Sequence, residues 1–484
     1  MYAALIVITA FITSVIVIQL STPLAVRVGL VDRPGGHKLH DDHVPLVGGF
    51  ALYFALFLAW FIAPRIGLGT INALFLAASG LLFVIGLADD RFQLSVRLRM
   101  AMQLAAALLM VYSNVVLNDL GQLLPGLPVE TGVLAVPFTL FAVVGTINAM
   151  NMIDGVDGLA GLVSFAILLL LGVVSYISGN NVQLLIVLCM LGAVGGFLHF
   201  NMRRRGRERA AIFMGDAGST ILGFLFAYLF VSLSQGEHRS ISPVTALWLF
   251  AVPLMDTVGV MIRRIWLGRS PFSADRGHLH HLLIDAGFRM RHAVFVIAAI
   301  QLLLGATGLA AHYLGVPDWL SFAAFLGLFF LYAYLIIRPW RAVPKLRAIH
   351  RGLDLTVRGA RHVFVGNLVP DTAWADVQNL LQEAGHRGDF QLFQRTDPET
   401  GETSAYALVD AVTTDRVKPL ARTLVHAHGR LASRHNKPDQ HLVIRQLVPR
   451  NPENDRRRAN RSGVDQEKRQ KDRRVPSEPL PPVS

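Results

Sequence analysis

Between residues 2 and 337 the sequence returns again and again to apolar runs of about 20 residues, the length that crosses the hydrocarbon core of a bilayer. Runs near 2–21, 47–64, 70–88, 100–117, 132–149, 159–178, 182–200, 213–233, 243–262, 293–313 and 319–337 predict eleven spans. Inside lipid a lone chain segment must satisfy its own backbone hydrogen bonds, so the runs are expected to be helices. With 53% hydrophobic and only 16% charged residues, the chain is not an ordinary soluble globular protein. The expected fold class is therefore an all-α polytopic membrane protein. The N-terminal run has no basic n-region and no small-residue cleavage site, which predicts a retained first span. The single cysteine, Cys189, lies in an apolar run and excludes a disulfide framework.

Arginine and lysine set the expected orientation. One set of loops holds Arg27, Arg33, Lys38, Arg91, Arg97, Arg99, the run from Arg203 to Arg209, Arg263, Arg264, Arg269, Arg276, Arg289 and Arg291, whereas the alternate set holds only Arg65 and Arg239. The first set is expected to be cytoplasmic, with the N-terminus periplasmic and the C-terminus cytoplasmic. The polar stretches cluster on that same side: 33–49, ADDR at 88–91, NMIDGVDGL at 151–159, FMGDAGS at 213–219 and SPFSADRGHLHHLL at 270–283. One-sided clustering points to one cytoplasmic active site.

Each stretch carries chemistry with a plainer alternative beside it. Asp154 and Asp157 lie between two apolar runs, and each is followed by glycine. Carboxylates flanked by hydrocarbon usually face a cavity or do chemistry, because isolated in lipid they cost about 2.5–3.5 kcal/mol. Otherwise they mark a short loop joining two spans. Asp89 and Asp90 can bind a divalent cation or take up a proton, or form an interfacial charged turn. Asp216 suits Mg²⁺, which prefers oxygen ligands; the alternative is an N-cap made by Asp216, Ser219 or Thr220. His278, His280 and His281, among arginines, suit an anion better than zinc. Lys38 and Arg276 could serve the same anion. Asp256 is either a helix-packing hydrogen bond or a site residue. Carboxylates, cations and glycine-rich turns on one membrane face together suit phosphoryl chemistry.

In order along residues 1–340, RPGGHKLHDDHVPLVGG, LADDR, NAMNMIDGVDGL, GFLHFN, FMGDAGS, PLMDT and SPFSADRGHLHH resemble the polyprenyl-phosphate N-acetylhexosamine-1-phosphate transferases of glycosyltransferase family 4. The resemblance is nearest to the bacterial undecaprenyl-phosphate N-acetylglucosaminyl branch. It implies transfer of GlcNAc-1-phosphate from UDP-GlcNAc to undecaprenyl phosphate in the inner membrane, releasing UMP and starting a cell-surface polysaccharide. It implies Mg²⁺ (or Mn²⁺) at Asp216 and proton transfer or metal support at Asp89 and Asp90. Nucleotide contacts fall to Asp154, Asp157, Asn148, Asn151 and Asn201. Sugar and pyrophosphate contacts fall to Arg276, His278, His280 and His281, and Lys38 becomes a candidate for the lipid phosphate. Leu279 interrupts the histidine run, which favours a UDP-N-acetylhexosamine over the peptidoglycan-precursor nucleotide. Another such sugar, GalNAc or a 6-deoxy amino sugar, is the runner-up donor, and a homodimer is compatible.

Beyond Ile337 the composition changes. Residues 341–360 form a basic linker, and 361–448 alternate as a small ferredoxin-like α+β domain of βαββαβ order. Residues 449–484 are charged and proline-containing, the signature of a disordered tail. VFVGNL at 363–368 resembles a ribonucleoprotein strand motif, but the partner strand has Leu408 where a stacking aromatic is expected. RNA binding is thus the lesser reading, below a module for protein contacts. A membrane-tethered RNA- or protein-binding scaffold is the alternative for the whole chain, although eleven spans exceed what an anchor needs.

Overall fold

The computed structural model describes residues 2–32, 44–203, 209–236, 239–266, 268, 270–271, 277–338, 342–343, 346, 361–368, 378–379, 382, 390–396, 403–412 and 443–447. Its contacts divide the chain into two units, 1–353 and 354–484. The first unit is a helical bundle. In chain order it contains α1 (Tyr2–Val28), strands β1 (Val31–Asp32) and β2 (Val44–Pro45), α2 (Gly48–Ile62), α3 (Ala73–Phe92), α4 (Val96–Tyr112), α5 (Ala135–Ile153), α6 (Leu159–Ile177), α7 (Asn181–Asn201), α8 (Gly215–Ser234), α9 (Pro243–Leu249), α10 (Ala251–Trp266), α11 (Leu279–Asp285), α12 (Met290–Tyr313) and α13 (Asp318–Ile337).

Among the described residues, nine helices are long and apolar enough to cross a membrane, or ten if α9 and α10 count as one broken span. The sequence expectation of eleven differs at one element. The run at 100–117 belongs to α4, which begins earlier, ends at Tyr112 and has only 17 residues. Ser95 starts it, accepting the Leu98 N–H through Oγ, so Arg97 and Arg99 enter its first turn. The chain is a multi-pass membrane protein.

The hub of the bundle is α8, whose spanning segment is 94% buried. Helices α2, α3 and α5 pack around it. Its apolar residues therefore face protein on all sides, as expected of a helix hydrophobic all round. The α9–α10 pair bends by 81°. The break frees backbone groups that lipid cannot satisfy, and buried Gln301 of α12 meets them, accepting from Val252 N at 2.9 Å and donating to Leu249 O at 2.8 Å.

The second unit contains a four-stranded antiparallel sheet. Its strands are β3 (Arg361–Leu368), β4 (Phe390–Thr396), β5 (Thr403–Val412) and β6 (Val443–Leu447), in the order β4-β5-β3-β6. These lie at the four sequence-predicted strands. The two helices of the expected βαββαβ order fall almost wholly outside the described residues.

Candidate functional site

The site is built at one end of the bundle, where α3 ends, α8 begins and α5 runs into the Asp154–Gly158 turn. Gly86 fixes the approach of α3 to α8. A Cβ there would lie 2.3 Å from Ala217 Cα, so only glycine lets the two backbones meet. One turn later α3 presents Asp89 and Asp90. The Asp90 carboxylate accepts the N–H groups of Asp216 at 2.8 Å and Ala217 at 3.4 Å. It thereby satisfies free donors at the positive end of the α8 dipole. Gly215, at φ 72°, turns the chain into α8 against that carboxylate. The helix cap is thus Asp90, from another helix. Ser219 and Thr220, considered as caps from sequence, instead bond backward to carbonyls; Thr220 Oγ1 donates to Asp216 O at 2.7 Å.

Freed from capping, Asp216 faces a cavity of about 70 Å³ between α3, α4, α5 and α8. Its carboxylate accepts a hydrogen bond from Asn151 Nδ2, which also reaches Ser219 Oγ at 3.1 Å. Arg99 spans the two acids on the cavity wall: its guanidinium is 2.8 Å from Asp89 Oδ2 and 3.9 Å from Asp216 Oδ2. Asp89 also accepts the Leu94 N–H at 2.7 Å. Asn148 donates to Gln103 Oε1 at 2.9 Å on the same wall. Leu82, Ile85 and Met100 make the remaining wall apolar. One cavity thus offers carboxylates, a guanidinium and hydrocarbon side by side.

The turn after α5 holds the other two acids in unlike states. Asp157 is tethered, with Arg203 Nε 2.7 Å and the Ala210 N–H 3.2 Å from Oδ2. Asp154 has no hydrogen-bond partner for its side chain among the described residues. Burial, then the charges of Asp216, Asp90 and Asp157, push its carboxyl well above the ordinary range. Asn201 is buried, and both ends of its amide serve the fold: Oδ1 accepts Gly158 N–H at 2.7 Å and Nδ2 donates to Ile212 O at 2.8 Å. It pegs the acidic turn in place.

The histidine segment adjoins that turn, since a Cβ on Gly155 would lie 3.8 Å from His280 Cε1. His278 Nδ1 is 2.8 Å from Asp256 Oδ2, and Asp256 Oδ1 accepts both the Leu279 N–H, at 2.9 Å, and the Tyr332 hydroxyl. Asp256 is therefore both a packing bond and a site support, joining α10, the histidine segment and α13. His278 and His280 stack at 5.8 Å, and His281 lies 4.2 Å from His280. Burial, and then the neighbouring His281, push the His280 imidazole down to about 4. Lys38 and Arg276 lie outside the described residues.

Sequence reasoning missed Arg99, Gln103, Arg203 and Tyr332 as site residues. Beside a span, Arg99 and Arg203 read only as orientation charges. The two polar residues carry no local signal, because their partners lie on other helices.

A family model described as glycosyl transferase family 4 matches residues 72–234, which hold every acid of the cavity and the turn. A Salmonella typhi protein named undecaprenyl-phosphate alpha-N-acetylglucosaminyl 1-phosphate transferase is 38% identical over 352 residues, which is 72% of this chain and 94% of that protein. An Escherichia coli K12 protein of the same name is 37% identical over the same shares. A third, from Haemophilus influenzae, is 35% identical over 71% of this chain and 95% of its own length.

Proposed function

The chain belongs to glycosyl transferase family 4, and on that premise we propose that it transfers N-acetylglucosamine 1-phosphate from UDP-GlcNAc to undecaprenyl phosphate. The observation that carries the reading is the convergence of Asp89, Arg99, Asn151 and Asp216 on one cavity with an apolar wall. A polyprenyl phosphate needs hydrocarbon and cationic contacts together, and a nucleotide-sugar needs polar ones nearby.

The reaction is a single displacement. An oxygen of the lipid phosphate attacks the β-phosphorus of UDP-GlcNAc. A new P–O bond forms, the bond from that phosphorus to the bridging oxygen breaks, and UMP leaves. The sugar C1–O bond is untouched, so the anomeric configuration is kept. Asp89 lines the cavity and is the acid placed to take the acceptor's proton; Arg99 beside it orients the acceptor phosphate. Asp90, committed to the α8 N-terminus, positions Asp216. Asp154, the acid of its turn without a partner among the described residues, meets the nucleotide. His278 and His280 face the sugar and pyrophosphate.

Mg²⁺, or Mn²⁺ in its place, fits Asp216 and Asp89. Such an ion commonly takes only one or two carboxylates plus substrate phosphates, and the Arg99 guanidinium shared by these two acids marks where they face one positive charge. When bound, the ion offsets the pyrophosphate charge and stabilises charge developing at phosphorus.

The arginine asymmetry supports a cytoplasmic position for this end of the bundle, and the proposed reaction is the first membrane step of a cell-surface polysaccharide, carried out in the inner membrane. The C-terminal unit is ferredoxin-like, a reading supported by its strand order, and serves protein contacts in preference to RNA.

Purified protein given UDP-GlcNAc, undecaprenyl phosphate and Mg²⁺ is expected to release UMP and form lipid-linked GlcNAc, with UDP-GalNAc much the poorer donor. Asp216→Asn is expected to remain membrane-inserted and to lose nearly all turnover. Normal UMP release by that variant would remove Asp216 from the reaction.

A further inference from the structure

A second cleft, of about 640 Å³, opens sideways from the bundle between α1, α6, α7 and α12. It shares no lining residue with the acid-lined cavity. Phe11, Leu162, Phe165 and Leu198 make its apolar wall. Arg203, just beyond the end of α7, and Arg291, in the first turn of α12, stand at its rim. The polarity therefore changes along the cleft, from cations at the bundle end that carries the site to aromatic and aliphatic side chains deeper in the membrane.

We propose that this cleft holds an anionic phospholipid of the bilayer, its phosphodiester between Arg291 and Arg203 and its chains along Phe11 and Phe165. A water-soluble anion would gain nothing from the apolar wall, and an uncharged lipid nothing from the guanidinium groups. The charge balance selects a phosphodiester. Asp157, 2.7 Å from Arg203 Nε, offsets that arginine. Arg291 is exposed, lies 5.9 Å from the Phe295 ring centroid and meets no carboxylate among the described residues. One net positive charge matches a lipid whose phosphodiester is the only charge of its headgroup, unlike zwitterionic phosphatidylcholine, whose choline cation cancels it. The acceptor's phosphomonoester carries more charge, and its phosphate must reach Asp89 in the other cavity. An apolar face of a second copy would bury Arg291 without a counter-charge, which is costly. Arg203 also ties the cleft to the acidic turn, so the lipid lies one ion pair from the nucleotide end of the site.

The test places a fluorescent reporter in the wall. Full-length Phe165→Trp protein is put into nanodiscs of phosphatidylcholine containing rising fractions of dibrominated phosphatidylglycerol or dibrominated phosphatidylcholine. Quenching of the parent's own tryptophans is subtracted. A juxtaposed basic residue favours an anionic lipid by about fivefold, so the phosphatidylglycerol is expected to quench at about a fivefold lower fraction. Arg291→Ala is expected to abolish that preference and Arg291→Lys to keep most of it. Equal quenching by both lipids, or a preference that survives Arg291→Ala, overturns the proposal. Reversal of the quenching by equimolar undecaprenyl phosphate overturns it in favour of the acceptor. A reporter shielded from both lipids in a dimer overturns it in favour of a second copy. Leu162→Trp on the same wall supplies the reading if Phe165→Trp does not fold.

Discussion

At the scale of single residues, the site works by giving chemically similar groups unlike partners. Asp89 faces Arg99 and the cavity, while Asp90, its neighbour in sequence, is spent on the backbone of α8. His278 is held by Asp256, whereas His280 is buried with no hydrogen-bonded carboxylate among the described residues and is pushed down to about 4. That shift fixes a sign. An unfolded histidine near its ordinary 6.5 takes a proton that the folded one refuses, so acid favours loss of the packed segment. The stability that neutral His280 lends is expected to be full above pH 6.5 and to fall away towards pH 4, by at most about 3 kcal/mol. Hydrogen exchange of 278–286 across that range would show protection falling with acid, and His280→Gln should flatten the dependence; an unchanged slope would remove His280 as its source. Asp256 acts through His278 and is a positioning residue. Asp256→Asn is expected to lower kcat/KM by about tenfold to a hundredfold, the range for a hydrogen bond to a charged group. The loss should appear in KM for UDP-GlcNAc and spare KM for the lipid, and Tyr332→Phe should follow more weakly. Equal loss for both substrates would mean general disruption. The acids and histidines were legible in sequence because they interrupt hydrocarbon. Arg99 and Tyr332 were not, since an arginine beside a span reads as an orientation charge and a tyrosine within one reads as packing. Asn201 has a role its motif does not announce: its amide accepts from Gly158 N–H and donates to Ile212 O, holding the acidic turn.

At the scale of elements, the apolar runs were legible because bilayer thickness and backbone hydrogen bonding leave helices as the main solution. The ends and breaks were not. The bend between α9 and α10 comes just before Pro253, which has no N–H to give Leu249 O, yet the run is apolar throughout and reads as one span; the partner that completes the break, Gln301, lies about fifty residues away on α12. Likewise α4 reads as a later span because its first turn carries Arg97 and Arg99, of which Arg99 lines the cavity. The contact of α3 with α8 is the element-level feature on which the acids depend. Gly86→Ala is expected to force the helices apart, destabilising the protein by about 1–3 kcal/mol and reducing turnover sharply, since Asp89 and Asp90 follow within one turn. Gly145→Ala in α5 is the control: a Cβ there meets nothing within 4 Å, so stability should hold or rise slightly. Thermal unfolding in detergent and UMP release, measured on both variants, separate the close approach from a general intolerance of larger residues. Equal behaviour of the two would refute the role given to Gly86.

At the scale of the whole molecule, the division of labour follows from where the chemistry lies. Every described residue of the acid cavity, the acidic turn and the histidine segment belongs to 1–353, and the lipid cleft is built there too. The family match also falls wholly within that unit. Beyond Ile337 the sequence changes from hydrocarbon runs to a basic, alternating pattern, because a bilayer-solvated helix and a sheet need different compositions. What the second unit contacts was not legible, since strand order depends on backbone pairing and its partners depend on surface chemistry. Removing residues 354–484 should therefore leave the membrane unit folded and its kcat within about twofold of the full chain, as expected for contacts that add no transition-state stabilisation. KM for UDP-GlcNAc should also stay unchanged. If the second unit serves only contacts elsewhere, the loss would appear in the cell, as lower surface polysaccharide at equal amounts of membrane-inserted enzyme. A truncated protein that inserts and stays monodisperse in detergent but releases no UMP would place part of the active site in the second unit, and would require residues beyond 353 to enter the account of the reaction.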